Sequence, residues 1–437
     1  MALLSLLLLA LSIVVLVQAL FSLYLTVYSW EHPQRLAASH GPASAEPSRR
    51  SFAVIVPARE EARVIYHTIT RLWSANYPIG RDDEDFHDRY VMKRRLLEIV
   101  VVCHRDDRAT ISEAHRAAVN IGSDGVRVVT YGGEPINKPH ALNVGLAASR
   151  NDVVAVFDAE DDVNPDLFAM VATVMDREGV GIVQSGVQLM NFRDHWFGLN
   201  NCLEYYFWFK SRLHFHARHQ MIPLGGNTIF IRRDLLSRVG GWDEACLTED
   251  ADIGVRLSGL GERIRVIYDA ARVTREETPA DTAAFVRQRT RWHQGFLQVL
   301  RKGDWLALPT LPQRLLALYT FSYPAIQVPL VAMWPIAVLG GFLLNTPIVV
   351  AMTTFLPLYA LFLQFLVTLV GARMFTREYG VRLPVHTFLI LAITYLPYQW
   401  LLAFSSARAA YRELEIREEW EKTAHLGAHR IRTEASN

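Results

Sequence analysis

Four acids stand among five residues in VVAVFDAEDDVNPD (153–166): Asp158, Glu160, Asp161 and Asp162. They follow an apolar run, and alternate residues leaving a strand can both reach one divalent cation. Such a cation prefers hard oxygen ligands and in turn holds a diphosphate. Acids after a strand also serve as solvated turn residues or helix caps, and Asp162 or Asn164 before Pro165 suits a cap with proline in the first turn. From this stretch alone both readings stand.

Two further stretches carry residues of the same chemical interest. In LTEDADIGVRL (247–257), Thr248, Glu249 and Asp250 follow a Gly-Trp-Asp turn and precede an apolar helical pattern. A carboxylate there could take the proton of an attacking hydroxyl, which makes Asp250 a candidate general base. The same residues also read as a capping box, with Thr248 at the N-cap and acids in the first turn. In QRTRWHQGF (288–296), Gln288, Arg291 and Trp292 fall on adjoining helical faces. Arg291 could stabilise a departing diphosphate, and Trp292 offers a flat surface suited to sugars. A juxtamembrane amphipathic helix would carry Arg and Trp equally well.

The elements that must position these residues are legible as short β-branched runs alternating with helical patterns. FAVIV (52–56), LEIVVV (97–102), VRVVT (126–130), VVAVF (153–157) and VGIVQ (180–184) read as buried strands, with helices over 60–75 and 138–149. This alternation predicts an α/β domain on a mostly parallel sheet covered on both faces. Ligands of such sheets sit outside the carboxyl ends of the strands, where VVAVF delivers Asp158 and Glu160.

Apolar blocks flank this region. Residues 2–28 contain no charge and exceed the roughly 20 residues that cross a bilayer, so they read as an uncleaved transmembrane helix. Three more blocks lie near 315–342, 348–371 and 384–404, and Pro324, Pro329 and Pro335 suggest a kinked or broken helix in the first of them. Arg35, Arg49 and Arg50 place the α/β region in the cytoplasm, and Arg373, Arg377 and Arg382 read as cytoplasmic too. One more crossing would then put Arg408, Arg412, Arg417 and Lys422 outside, which conflicts with the same rule. The expected division is a helix over 1–30, a linker over 31–50, a cytosolic domain over 51–300 that includes an interfacial QxxRW helix, a membrane region over 313–407 and a polar tail over 408–437.

Bulk properties exclude several classes. Of 437 residues, 51% are hydrophobic, and 45 basic residues nearly cancel 44 acidic ones. No overall field recruits nucleic acid, and no basic run is interleaved with aromatics. Cys103, Cys202 and Cys246 have no spacing for a disulfide framework or structural zinc. His214, His216 and His219 in RLHFHARHQ tempt a metal reading, but the aromatic NCLEYYFWFK before them points to a segment along the membrane surface with solvent-facing histidines.

In order, these stretches resemble the D, DxD, TED and QxxRW series of membrane-bound family 2 glycosyltransferases, the group of cellulose synthase, hyaluronan synthase and ceramide glucosyltransferase. The resemblance spans about residues 50–300. It includes FAVIVPAREEARVI with Pro57 and Glu61, NKPHALNVGL with Lys138 and Asn143, and PLGGNTIFIRRDLLSRVGGWDE before TED. It implies a GT-A fold and inverting transfer of a sugar from a nucleotide diphosphate, with UDP-sugars ahead of GDP-sugars, on the cytoplasmic side of a bacterial cell membrane. Asp158 and Glu160 would hold Mg²⁺ or Mn²⁺, Asp250 would be the base with Glu249 beside it in the catalytic site, and Pro57, Glu61, Asp107, Lys138, Asn143, Gln288 and Arg291 would contact the donor. Gly226, Asn227 and Trp292 would face the acceptor. Two departures touch this pattern: the strand at 97–102 ends in Cys103 and His104 instead of an acid, with Asp107 as a substitute, and Glu160 replaces the commoner Asp. The expected acceptor is a growing polysaccharide, with a lipid acceptor and a non-catalytic receptor or assembly subunit as alternatives; a metal-dependent phosphohydrolase lacks the His/Asp clusters it needs.

Overall fold

The computed structural model describes residues 2–30, 40–79, 91–93, 95–343, 348–416, 421 and 427–430. Arg35, Arg417 and Lys422, invoked above for topology, lie outside them. Nine strands form among the described residues: β1 (Phe52–Ala58), β2 (Leu97–His104), β3 (Val126–Tyr131), β4 (Val153–Val156), β5 (Ile182–Ser185), β6 (Val187–Leu189), β7 (Ile229–Arg232), β8 (Ile264–Ile267) and β9 (Thr274–Glu276). Seven build the main sheet in the order β3-β2-β1-β4-β7-β5-β8, and β6 pairs with β9 in a small second sheet. The Val/Ile-rich runs are buried on both faces because helices cover each side.

The sheet is mixed where the sequence predicts a mostly parallel one. Strand β7 runs antiparallel to both β4 and β5. Its four residues, IFIR, are too short to declare a direction, and the chain enters them from the loop 223–228 on the far side of β4. Helices form over Ile65–Trp73 and Lys138–Ala148, within the expected limits.

Four long apolar helices flank the domain: Ala2–Val27, Leu311–Leu343, Ile348–Tyr379 and Val385–Leu414. Leu311–Leu343 runs unbroken through Pro324, Pro329 and Pro335, so the expected break is absent. By length and composition, Tyr359–Tyr379 and Val385–Leu414 suffice to cross a membrane, and Ser12–Val27 is a shorter apolar stretch. The last helix has both ends against the catalytic domain. Near its start, Leu391 is buried in the domain core and Arg193 bonds the Arg382 carbonyl at 2.6 Å. At its end, Arg412 bonds Gln294 at 3.0 Å and Glu413 pairs with Arg301 at 3.0 Å. Between these points it lies parallel to Thr282–Lys302: Phe285 packs on Tyr398, and His293 bonds Ser406 at 2.7 Å. Its opposite face exposes Val385, Leu389, Ile393, Trp400 and Phe404.

NCLEYYFWFK is packed where the domain meets the apolar helices, and of the three histidines after it His219 is exposed, as expected, whereas His216 is buried. Helix Gly198–Phe207 and the π-helical turn Trp208–Arg212 form the seam between the domain and the apolar helices. Tyr206 packs on Phe375 with centroids 5.7 Å apart, and Asn200 bonds Thr394 at 3.0 Å. His216 is correspondingly buried, its Nδ1 facing the Met221 carbonyl at 3.2 Å. Among the described residues no three His, Cys, Asp or Glu side chains form a metal cluster, and the three cysteines are free and buried.

Candidate active site

The chain leaves β1 for β2 and β3 on one side, then returns to β4 on the other side of β1. A crevice must open at the carboxyl ends of these two strands. Pro57 and Glu61 follow from β1, and Asp158 and Glu160 from β4; all four line one cavity. The Asp158 backbone N–H donates to Asp161 Oδ2 at 2.8 Å. Asp161 is fully buried and accepts both contacts of the Asn227 amide, at 2.9 and 3.1 Å, while that amide also donates to Glu276. Burial first, then Glu276, Asp158 and Glu160, push the Asp161 carboxyl well above its usual range. Asp161 therefore sets the backbone that carries Asp158.

Lys138 opens its helix beside this loop, its Nζ 2.5 Å from Asp158 Oδ1, 3.0 Å from the Gly226 carbonyl and 3.8 Å from Glu249 Oε1. Burial alone would depress the ammonium, but Asp158 and Glu249 together raise it. Asp158 thus already meets a cation at one oxygen. Two carboxylates lining one pocket, completed by substrate phosphates and water, suit Mg²⁺ or Mn²⁺, so the residues present fit such an ion.

Glu249–Ser258 supplies the opposite wall. Thr248 stands at its N-cap but makes no capping bond, and its Oγ1 is buried with no partner among the described residues. Burial, reinforced by Asp250, pushes Glu249 up to about 7, against the pull of Lys138 and Arg291. Asp250 is raised by burial too, with the same two cations opposing. Gly226, at φ +77°, lets the loop pass beside Asp250: a Cβ there would lie 3.2 Å from its Oδ2.

The QxxRW helix, Thr282–Lys302, presses on this corner through Gly295. A Cβ at that position would come within 2.4 Å of Thr248 Oγ1 and 2.7 Å of the Thr248 backbone nitrogen. Gln288, Arg291 and Trp292 face the cavity, and the Gln288 Oε1 is buried without a partner among the described residues. The charge of Arg291 acts on Glu249 and Asp250 and is acted on by them and by Asp158. Behind Trp292, the Arg289 guanidinium lies 4.4 Å from the ring centroid and pairs with Glu204 at 2.8 Å.

The structure brings Pro57, Glu61, Lys138, Asp158, Glu160, Gly226, Asn227, Glu249, Asp250, Gln288, Arg291 and Trp292 into one lining. Asp107 and Asn143 are outside it. Asp107 caps Arg108–Ile121 through Thr110 N at 3.2 Å and accepts from Glu60 N. Asn143 spends its amide on the Trp242 backbone, 2.9 Å each way, and on Glu244. Cys103 is buried off the cavity, its thiol pushed up to about 12 by burial. Sequence reasoning also missed Asp161 as a support, Glu276, and Arg430, whose guanidinium reaches the carbonyls of Glu160 and Asp161 at 2.7 and 3.1 Å. A lone arginine in a polar tail carries no signal of this.

The cavity, about 450 Å³, continues past Trp292 into the seam between the domain and the apolar helices. There Ser22, Thr26, Tyr323, Gln364 and Tyr395 line it.

A family model described as "Glycosyltransferase like family 2" matches residues 48–295. A probable glycosyltransferase of Bacillus subtilis is 27% identical over 268 residues, covering 57% of this chain and 56% of that protein. The chain thus spans little more than half of that relative. A beta-monoglucosyldiacylglycerol synthase of Trichormus variabilis is 24% identical over 392 residues, covering 86% of this chain and 76% of that protein. The fold is similar to that of a mannosyltransferase from Pyrobaculum calidifontis, described in complex with GDP-Man and Mn²⁺. That similarity has a TM-score of 0.56 at 20% identity, over 94% of this chain and 99% of that one.

Proposed function

The chain belongs to glycosyltransferase-like family 2, and from that premise we propose that it transfers a sugar from a nucleotide diphosphate to a lipid hydroxyl, with inversion, at the cytoplasmic face of a bacterial membrane. The observation that carries this reading is a single cavity that joins the Asp158–Lys138 cluster, the buried Asp250 and the seam of the apolar helices. Asp250 accepts the proton of the acceptor hydroxyl as that oxygen attacks the sugar from the face opposite the diphosphate. Its raised affinity for protons suits a base working near neutral pH. Lys138 and Arg291 lie where charge develops on the leaving diphosphate. Asp158 and Glu160 would hold Mg²⁺ or Mn²⁺, which when bound neutralises the diphosphate. Gln288 and Trp292 orient the reacting ends.

A lipid acceptor is favoured over a growing polysaccharide because the cavity runs from Asp250 into the seam of the apolar helices, where Ser22, Thr26, Tyr323, Gln364 and Tyr395 line it. The similarity over most of the chain to a protein named for a diacylglycerol product supports the same choice. The polysaccharide reading keeps the Trp and Tyr lining in its favour, since flat rings suit sugars.

The test is the full chain reconstituted in vesicles with Mn²⁺ or Mg²⁺, screened against UDP- and GDP-sugars, with nucleoside diphosphate release and mass spectrometry of the lipid fraction. A glycosylated lipid, absent with Asp250→Asn, is expected. A polymer product would replace the acceptor assignment. Turnover unchanged in Asp250→Asn would remove the base assignment.

A further inference from the structure

Three basic residues of the seam have different company. Lys210 pairs with Glu378, and Arg289 pairs with Glu204. Arg212, which closes the π-helical turn and lines the cavity, has no carboxylate partner among the described residues. Its Nη2 donates to the Ser22 carbonyl at 3.2 Å, the Ser22 hydroxyl at 2.6 Å and the Thr26 hydroxyl at 2.9 Å. Those contacts fix the guanidinium against the N-terminal helix without neutralising it, and among the described residues all of its hydrogen bonds are made by Nη2. The phenols of Tyr319, Tyr323 and Tyr395 lie within range of its charge, and all three line the cavity. Glu204, the acid of this end of the lining, is already engaged by Arg289 and by the Tyr398 hydroxyl.

A fixed, unneutralised guanidinium whose Nη1 still carries N–H donors can bind a phosphate oxygen by a charge-assisted hydrogen bond. Its position is also specific. Ser22 and Thr26 belong to the last two turns of the N-terminal helix, the end next to the catalytic domain, so Arg212 sits at headgroup depth if that helix crosses a bilayer. An uncompensated charge beside apolar helices is costly unless it has a use. The π-helical turn that presents it is of a kind frequent at functional sites.

We propose that the acceptor is a phospholipid: Arg212, with the neighbouring tyrosine hydroxyls, binds the phosphodiester of its headgroup while a headgroup hydroxyl reaches Asp250. This rests on the lipid-acceptor reading above and narrows it to an anionic amphiphile.

The test measures binding of phosphatidylglycerol and of diacylglycerol with the same chains to the purified full chain in neutral detergent, followed by Trp fluorescence, since Trp208 lines the cavity beside Arg212. Wild type should bind phosphatidylglycerol at least tenfold more tightly than diacylglycerol. Arg212→Ala should erase that margin without changing diacylglycerol affinity, and Arg212→Lys should restore part of it. Inorganic phosphate that competes equally well at millimolar concentration would overturn the lipid part, because a free phosphate site needs no tail. Equal affinity of wild type for the two lipids, or equal losses for both in Arg212→Ala, would overturn the proposal. Thermal unfolding of each variant separates these results from loss of the helix contact. Phosphatidylglycerol that binds as expected but is not glycosylated, by a wild type that does glycosylate another lipid, would overturn the acceptor assignment, whereas no turnover with any lipid would fault the catalytic reading alone.

Discussion

At the proposed donor end of the cavity, Asp158 follows a strand and Lys138 opens the helix beside it, and the groups that hold them come from neighbouring strands and loops. At the acceptor end, Asp250 and Trp292 stand on helices that touch through Gly295 and Thr248, and a third helix from some hundred residues later closes the wall. A sheet end tolerates little movement, because each strand is fixed by hydrogen bonds on both sides. A helix seam is fixed by side-chain packing and by a few buried polar pairs such as Arg289–Glu204. The two ends should therefore fail differently: one by losing charge, the other by losing fit.

The sharpest way to separate them is Asp250→Asn, which should lower sugar transfer by roughly 10²–10⁴-fold, the range of a general base, while nucleotide binding by calorimetry holds. Lys138→Met comes next, because this lysine touches both ends. Without its ammonium, the Glu249 and Asp250 carboxyls lose the charge that pulls them down and bind protons at still higher pH. The acidic limb of kcat/KM should move to higher pH, with a loss on the order of tenfold per unit at neutral pH. A limb that stays in place would mean the pair is not what titrates.

Gly295→Ala probes fit alone. The added methyl meets the backbone and side chain of Thr248, so stability should fall by about 1–3 kcal/mol in a denaturant titration, and kcat should drop with donor KM unchanged. If donor KM rises instead, the two ends are not independent. Arg430→Ala is the mirror experiment on the donor end: it frees the carbonyls of Glu160 and Asp161, so Mn²⁺ affinity measured by EPR should weaken a few-fold, with acceptor KM unmoved. The smallest effect belongs to Asp107→Ala. As a helix cap outside the cavity it should cost about 1 kcal/mol of stability and leave nucleotide affinity unchanged.

The same division governs what could be read from the residues. β1 to β5 were visible because buried parallel strands are continuous Val/Ile runs, and the placement of Asp158 followed from the carboxyl-end rule. β7 was invisible in advance because four residues declare neither a strand nor its direction. Nothing local distinguishes Asp161 from Asp162; its role depends on Asn227, 66 positions away. Asn143 looked like a ligand and turned out to fasten the Gly-Trp-Asp turn, a contact across 99 positions. Thr248 had the spacing of a capping box, yet Gly295 brings a helix so close that its hydroxyl makes no cap bond. The last apolar block is long and apolar enough to cross a membrane, as its hydropathy suggests, and it also packs along Thr282–Lys302, a contact that composition does not announce.

That last helix also sets an order of assembly. Val385–Leu414 lies parallel to Thr282–Lys302, so the chain must travel back the full length of the pair, and the apolar hairpin of Leu311–Leu343 and Ile348–Tyr379 is the return path. Some eighty residues separate the two partners, roughly 4–16 s of synthesis at ~5–20 residues per second. During that interval the sheet, Asp158, Lys138 and Asp250 all exist, but one wall of the acceptor pocket has not yet been made. On the proposed function, a nascent chain would hold its donor before it has anywhere to put the sugar.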